Sequence, residues 1–135
     1  MAALVRAHPG GQRAEGKRMT VTDVAKRIGA VVVGSTAAAD REVTGGYVSD
    51  LLSDAIANAQ EGDLWVTCQK HVNIVAVAHL KSLAGVVVVN GRQPEPETVA
   101  RALQEGVPIV STPLPAFDVV GILYSLGVHG RGVPC

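Results

Sequence analysis

Cys68 and His71 are the residues of this sequence whose types and spacing could do covalent chemistry. A thiol near the start of a helix can have a lowered pKa, and a histidine three residues away could act as its base. No third residue is marked to orient His71, however. Side chains alternate between the two faces of a strand, so Cys68 should lie on the same face as Leu64 and Val66. This position favours a small buried thiol. We consider three functions for this chain, and an enzyme that uses Cys68 is therefore the least favoured of them.

Polar residues also follow several predicted strands. Parallel sheets bind ligands beyond the carboxyl ends of their strands, where helix N-termini present free amides. Lys70 and Arg92 would add positive charge there, which suits a nucleotide or another phosphorylated metabolite. Each polar residue could instead serve an ordinary turn or cap. If a small molecule binds, we expect one crevice lined by Thr44, Gly45, Gly46, Gln69, His71, Asn90 and Thr112.

Other kinds of site find no support in the sequence. It contains neither of the glycine-rich phosphate-binding patterns, G-x-x-x-x-G-K-[ST] or G-x-G-x-x-G after a strand. The histidines are scattered, with no cysteine or acidic cluster at metal-ligand spacing. We predict no catalytic residues, no cofactor and no metal.

The amino-acid composition limits which binding partners and which cellular compartment we expect. The 12 basic and 12 acidic residues cancel, so no field attracts phosphates or an anionic membrane. One Phe, one Trp and two Tyr give little material for stacking bases, which argues against nucleic acid. The two cysteines do not form the disulfide framework that is typical of small secreted domains. We therefore expect the protein to be in the cytoplasm. The longest apolar run, 72–80, is too short to span a bilayer.

Strands and helices alternate from Thr20 onward. A capping box at Thr20 and Asp23 begins a short helix that ends at Gly29. Gly45 and Gly46 are expected to turn a strand into a helix that Ser49 caps. The predicted strands are 30–33, 42–48, 64–68, 85–89 and 108–111, and the later helices are 49–60, 71–83, 96–105 and 115–126.

This order predicts an α/β fold with a mostly parallel sheet flanked by helices. The strand from Gly85 is continuously apolar, as expected of a strand buried on both faces. The helix from Val72 is apolar nearly all round, so its spare surface should pack against another helix, within the chain or across a homodimer. We predict a homodimer on this basis.

We divide the chain into three parts. Residues 1–18 lack apolar periodicity and are predicted to be a disordered extension, with Met19 as a possible natural start. Residues 19–127 form one domain, because 135 residues are too few for two ordinary cores. Residues 128–135 are predicted to be a tail.

Several short motifs in residues 19–127 resemble those of the DRTGG domain family. They are Val43-Thr44-Gly45-Gly46, Leu83-Ala84-Gly85, Asn90-Gly91, Gly106-Val107-Pro108 and Thr112-Pro113. Glu42-Val43 stands where the family has Asp-Arg. The resemblance implies a fold similar to the N-terminal domain of HPr kinase/phosphorylase. Such domains also occur in phosphate acetyltransferases and between the CBS domains of some pyrophosphatases.

In those proteins the domain looks like a regulatory and dimerising part, not the catalytic part. The resemblance therefore implies a non-catalytic regulatory module that could sense a nucleotide. The second alternative is an interaction subunit without a small-molecule ligand, whose protein partner is encoded in the same operon.

Overall fold

The computed structural model describes residues 18–132 of the chain. The predicted extension, apart from Arg18, and the last three residues of the predicted tail lie outside this range. A five-stranded sheet has the order β1-β5-β4-β3-β2. Its strands are β1 (Val31–Gly34), β2 (Gly45–Val48), β3 (Asp63–Thr67), β4 (Gly85–Val88) and β5 (Pro108–Ser111). Strands β2 to β5 are parallel, whereas β1 is antiparallel to β5. The predicted α/β class with a mostly parallel sheet is confirmed.

Helices cover both faces of this sheet. They are α1 (Val21–Arg27), α2 (Leu52–Asn58), α3 (Asn73–Leu80), α4 (Pro96–Glu105) and α5 (Ala116–Ser125). Side chains of α1 and α5 join one buried apolar cluster, and side chains of α2, α3 and α4 join the other. The strand β4 supplies both clusters, because Val87 faces one and Val86 and Val88 face the other. Its continuous apolar run follows from burial on two sides.

Helix α1 begins as the sequence predicts. The Thr20 side chain accepts a hydrogen bond from the Asp23 amide, and the Asp23 side chain accepts one from the Thr20 amide. This reciprocal pair satisfies two amides that a helix start leaves open. Gly29 follows the helix with φ of +62°, a left-handed conformation typical of a helix end.

Most of the apolar surface of α3 is covered within the chain, whereas Leu80 at its end is 67% exposed. Helix α3 packs between α2 and α4, and it buries Ile74, Val75, Val77 and Ala78. The structure therefore shows packing within the chain for most of this helix. The homodimer predicted from α3 stays a prediction.

The start of β2 corrects one local prediction. Gly45 and Gly46 begin the strand and pair with Asp63 and Leu64, so they do not turn it into a helix. Helix α2 begins later, with Leu51 as its N-cap and no side-chain cap bond. Ser49 instead accepts a hydrogen bond from the Leu51 amide in a local turn, at 3.1 Å. Because β2 pairs with β3 as far as Val48, helix α2 begins later along the chain than predicted. A short 3-10 helix, Ala37–Asp40, lies between β1 and β2.

Candidate functional site

The seven residues expected around one crevice lie at opposite edges of the sheet. Gln69 and His71 follow β3, Asn90 follows β4 and Thr112 follows β5, so these four lie beyond the carboxyl ends of the strands. Thr44, Gly45 and Gly46 lie at the amino end of β2, where Gly45 pairs with the first residue of β3. The structure therefore does not bring the seven together, because the two glycines begin a strand instead of ending one.

Asp50 organises the carboxyl edge. Its Oδ1 accepts hydrogen bonds from the Cys68 amide at 2.8 Å and from the Thr67 hydroxyl at 3.0 Å. The Gln69 side chain donates to the Asp50 carbonyl at 2.8 Å. The Cys68 amide, followed by the Thr67 hydroxyl, holds the pKa of the Asp50 carboxyl below its usual value, although partial burial opposes them. The sequence analysis did not identify Asp50 as a site residue. Its place directly after a parallel strand was the signal that could have found it.

The two residues predicted beside the later strands also serve local structure. Thr112 is 1% exposed, and its hydroxyl donates to the Ile28 carbonyl and accepts from the Leu114 amide. Asn90 has φ of +64°, and its amide donates to the Leu114 carbonyl at 2.9 Å. Both residues thus fix the turn after their strands. Whether they also contact a ligand stays a prediction.

His71 lies on the surface of this edge. Its Nδ1 is 3.6 Å from a Glu95 carboxylate oxygen, and both side chains are well exposed. The preceding Lys70 carbonyl accepts a hydrogen bond from the buried Thr98 hydroxyl at 2.8 Å. His71 therefore has an acidic neighbour at the N-cap of α4 and no contact that pairs it with the Cys68 thiol.

Cys68 lies where the strand alternation predicts. It packs, partly buried, against the cluster that contains Leu64 and Val66. Burial and the neighbouring Asp50 carboxylate raise the pKa of the Cys68 thiol. A nucleophilic cysteine needs the opposite shift. This geometry argues against chemistry at Cys68.

The amino edge holds a polar cluster that sequence reasoning missed. Asp63, which is 1% exposed, accepts a hydrogen bond from Arg131 Nε at 2.6 Å. The Nη2 of Arg131 donates to the Thr44 hydroxyl at 2.6 Å. The sequence analysis did not mark Asp63, and it placed Arg131 in the predicted tail. The two are 68 positions apart, and no local pattern links them.

A cleft of about 390 Å³ lies at the same edge, between Arg41 and Glu105. Glu42, Glu61 and Glu105 line it, whereas Arg41 and His79 are the basic side chains on its wall. Arg41 already donates to the Leu83 carbonyl at 3.1 Å, and His79 lies 3.5 Å from Glu105. The excess of carboxylates makes this cleft a poor place for a phosphate.

The family follows from comparison with known proteins. The family model for the DRTGG domain matches residues 23–126. This chain belongs to the DRTGG domain family. Glu42-Val43 replaces the Asp-Arg of the family's motif here, and Thr44, Gly45 and Gly46 retain the rest.

The fold of this chain is also similar to that of a solved structure. That structure contains the CBS and DRTGG domains of the regulatory region of Clostridium perfringens pyrophosphatase, complexed with its activator diadenosine tetraphosphate. The TM-score is 0.65 at 13% sequence identity, over 87% of this chain and 53% of that one. This chain thus spans about half of the pyrophosphatase region, and the likeness shows a shared fold. No curated protein matches this chain.

Two further findings concern residues 18–132. Within this range no three His, Cys, Asp or Glu side chains are grouped so that they could hold a metal ion. No helix in the same range is long and apolar enough to cross a bilayer.

The outer face of α5 is the exposed apolar surface that stands out. We define it by Phe117, Gly121 and Tyr124, with Leu114 and Ile122 at its margin. Phe117 is 87% exposed and Tyr124 is 59% exposed. These residues recur at positions i, i+4 and i+7, which puts them on one side of the helix. The sequence analysis expected the spare apolar surface on α3 instead. Which apolar helix is covered depends on the packing of the whole chain, and no local pattern shows it.

Proposed function

We propose that this DRTGG domain is a non-catalytic regulatory module that forms a homodimer through the outer face of α5. The observation that carries the proposal is the exposed Phe117 on a helix whose opposite face is already buried. An exposed apolar face of this kind is typical of a protein-protein contact. We place the protein in the cytoplasm, because its two cysteines form no disulfide framework.

The polar groups at the carboxyl edge support a non-catalytic role. Asp50 is occupied by hydrogen bonds from Thr67 and Cys68, and Thr112 is occupied by bonds to Ile28 and Leu114. A catalytic centre needs a nucleophile and a base within hydrogen-bond reach of each other. The raised pKa of the Cys68 thiol works against the one candidate nucleophile.

The shape of the α5 outer face favours a second copy of the chain as its partner. A side chain added at Gly121 would meet no atom within 4 Å, so the helix surface beside Phe117 is open there. The Tyr124 ring stacks on His129, which leaves Phe117 as the free ring of this face. Two antiparallel α5 helices can cross at Gly121 with each Phe117 against the other helix. Such twofold contacts use the same patch on both copies.

Light scattering behind a sizing column tests the dimer. We expect a mass twice the 13.9 kDa of one chain at micromolar concentration. Phe117→Ser should give monomers, because it removes the central ring from the contact. Leu103→Ser is the matched control, since Leu103 is 65% exposed on α4, away from this face. A wild-type mass near that of one chain would contradict the proposal, and a dimer that survives Phe117→Ser would contradict the use of α5.

A second candidate function is the sensing of a nucleotide at the carboxyl edge. The observation that favours it is the fold shared with a regulatory region that was solved with a dinucleotide activator. Gln69, His71, Asn90 and the basic Lys70 and Arg92 follow β3 and β4 at this edge. Such a ligand would bind mainly through backbone amides, with little fixed charge.

Thermal melting separates sensing from pure protein interaction. The panel is diadenosine tetraphosphate, adenine and guanine nucleotides, acetyl phosphate and sugar phosphates. A ligand at about 100 times its Kd adds roughly 2.7 kcal/mol of stability, which should raise the melting temperature by about 10 °C. Arg92→Ala should reduce the shift, whereas Arg101→Ala on α4 should not. If no compound shifts the midpoint and a protein encoded in the same operon does, the interaction-subunit alternative is correct.

A further inference from the structure

Asp63 is a buried carboxylate whose two oxygens are both occupied. Oδ1 accepts from Arg131 Nε at 2.6 Å, and Oδ2 accepts from the Gln60 amide at 2.8 Å. The Asp63 side chain is 2% exposed, whereas that of Arg131 is 30% exposed. A buried carboxylate is strongly unfavourable without a cationic partner, so Arg131 has a structural role at this site.

The guanidinium of Arg131 meets three acceptors that are arranged for its fork. Besides Asp63, its Nη2 donates to the Thr44 hydroxyl at 2.6 Å and to the Glu61 carbonyl at 3.1 Å. Planar guanidinium groups satisfy several acceptors at once, which the single ammonium of a lysine cannot match.

Gly45 provides the space for this contact. A Cβ at Gly45 would lie 2.6 Å from Asp63 Oδ1 and 2.8 Å from Arg131 Cζ, closer than such atoms can approach. Thr44 and Gly45, which belong to the family motif, are thus used by the polar cluster at the amino edge. The next glycine contacts the same segment, because the Gly46 amide donates to the His129 carbonyl at 3.0 Å.

Residues 128–131, which we call the strap, lie along the free edge of β2. The described part of the predicted tail is irregular, yet Val128 is 3% exposed and packs into the cluster with α5. An apolar cleft of about 150 Å³ lies between the strap, β2 and α5. Arg131 is the last residue of the strap.

We propose that Thr44, Gly45, Asp63 and the Glu61 carbonyl form an arginine-recognition site, and that Arg131 occupies it as a latch for the strap. The ligand of this site is a guanidinium group. Because the strap covers the free edge of β2, loss of the Arg131 contact exposes that edge and the apolar cleft beneath. The four groups of this site do not belong to the outer face of α5, although Tyr124 of that face stacks on His129 of the strap. The measurements below change Arg131 and not Phe117, so they test the site separately from the proposed dimer.

Arg131→Ala in the full chain tests the site. We expect the melting temperature to fall by about 10 °C, because the variant leaves a buried carboxylate unpaired. Methylguanidine at tens of millimolar should restore part of this loss in Arg131→Ala, since it supplies the missing guanidinium. It should restore nothing in the double variant Asp63→Asn with Arg131→Ala. Arg101→Ala, which removes an exposed arginine on α4, is the control and should melt as the wild type does.

Hydrogen exchange tests the latch. In Arg131→Ala the Gly46 amide should exchange at least about tenfold faster than in the wild type, whereas the Val87 amide in the central strand should not change. If Arg131→Ala does not fold, Arg131→Lys provides the same readout, with an intermediate increase at Gly46.

Three results would overturn the proposal. One is an unchanged melting temperature in Arg131→Ala. Another is a destabilised variant that methylguanidine does not rescue. The third, in the unmodified protein, is an Arg131 Nε–H that exchanges with water as fast as that of the exposed Arg101.

Discussion

Asp50 shows how one side chain holds together the carboxyl edge of the sheet. Its carboxylate joins the end of β2 to the end of β3 through Thr67 and the Cys68 amide. Burial, followed by the neighbouring Asp50 carboxylate, raises the pKa of the Cys68 thiol. The same carboxylate therefore holds the edge together and adds to the effect of burial on the thiol.

We expect Asp50→Asn to lower the free energy of unfolding by about 1 kcal/mol at neutral pH, since it weakens exposed hydrogen bonds to a charged acceptor. Because the folded protein lowers the pKa of Asp50, this contribution is fully present above about pH 4 and is lost as the pH falls through the folded-state pKa. The difference between the two proteins should therefore shrink in acid. Denaturant unfolding across pH measures it, with Asp40→Asn as the control.

The same variant should make Cys68 more reactive. Removing the negative charge of Asp50 removes one cause of the raised thiol pKa, although burial remains. A thiol reagent at mildly alkaline pH should therefore label Asp50→Asn faster than the wild type. Equal rates would mean that burial alone controls the thiol.

At the scale of elements, β1 depends on a close contact that only glycine allows. Gly34 ends this strand with φ of +72°, and a Cβ there would lie 2.8 Å from both the Ala102 Cβ and the Val107 carbonyl oxygen. The strand pairs with β5 and packs against α4 at this point. The antiparallel edge of the sheet therefore needs Gly34.

Gly34→Ala should lower the free energy of unfolding by about 3 kcal/mol, because left-handed strain and overpacking act together. Gly132→Ala is the matched control, since an added Cβ at Gly132 meets no atom within 4 Å. Denaturant unfolding followed by circular dichroism measures both. A loss below about 0.5 kcal/mol in Gly34→Ala would mean that β1 and α4 can separate without penalty.

At the scale of the whole molecule, two apolar clusters are joined by one sheet. Trp65 is fully buried in the cluster with α2, α3 and α4, and its indole N–H donates to the Ser49 carbonyl at 2.8 Å. Since this is the one tryptophan of the sequence, its fluorescence reports on the folded core. Fluorescence and circular dichroism should show one coincident transition, as expected of a single domain.

A chain that begins at Met19 should melt at the same temperature as the full chain. Residues 1–18 contain too little apolar surface to offset an ordering cost of roughly 1 to 2 kcal/mol per residue. Trp65 fluorescence during heating provides the measurement. A fall of several degrees would show that the first residues stabilise the domain.

The sequence by itself determined the elements whose signals are local. Thr20 and Asp23 mark the start of α1 because a capping box needs only four consecutive residues. Pro96 and Gly106 bound α4 for similar reasons, and the continuous apolar run from Gly85 identifies a strand buried on two faces. The alternation of strands and helices was sufficient for the fold class, and the five short motifs along residues 19–127 together were sufficient to indicate the family.

Only the tertiary structure decided which distant residues meet. It placed Gly45 and Asn90 at opposite edges, because strand register depends on contacts between segments and not on the residues of one segment. It paired Asp63 with Arg131, and it covered most of α3 while leaving Phe117 on α5 exposed. A residue type shows that a side chain can form a hydrogen bond or be buried. Its partner is fixed only when the whole chain packs.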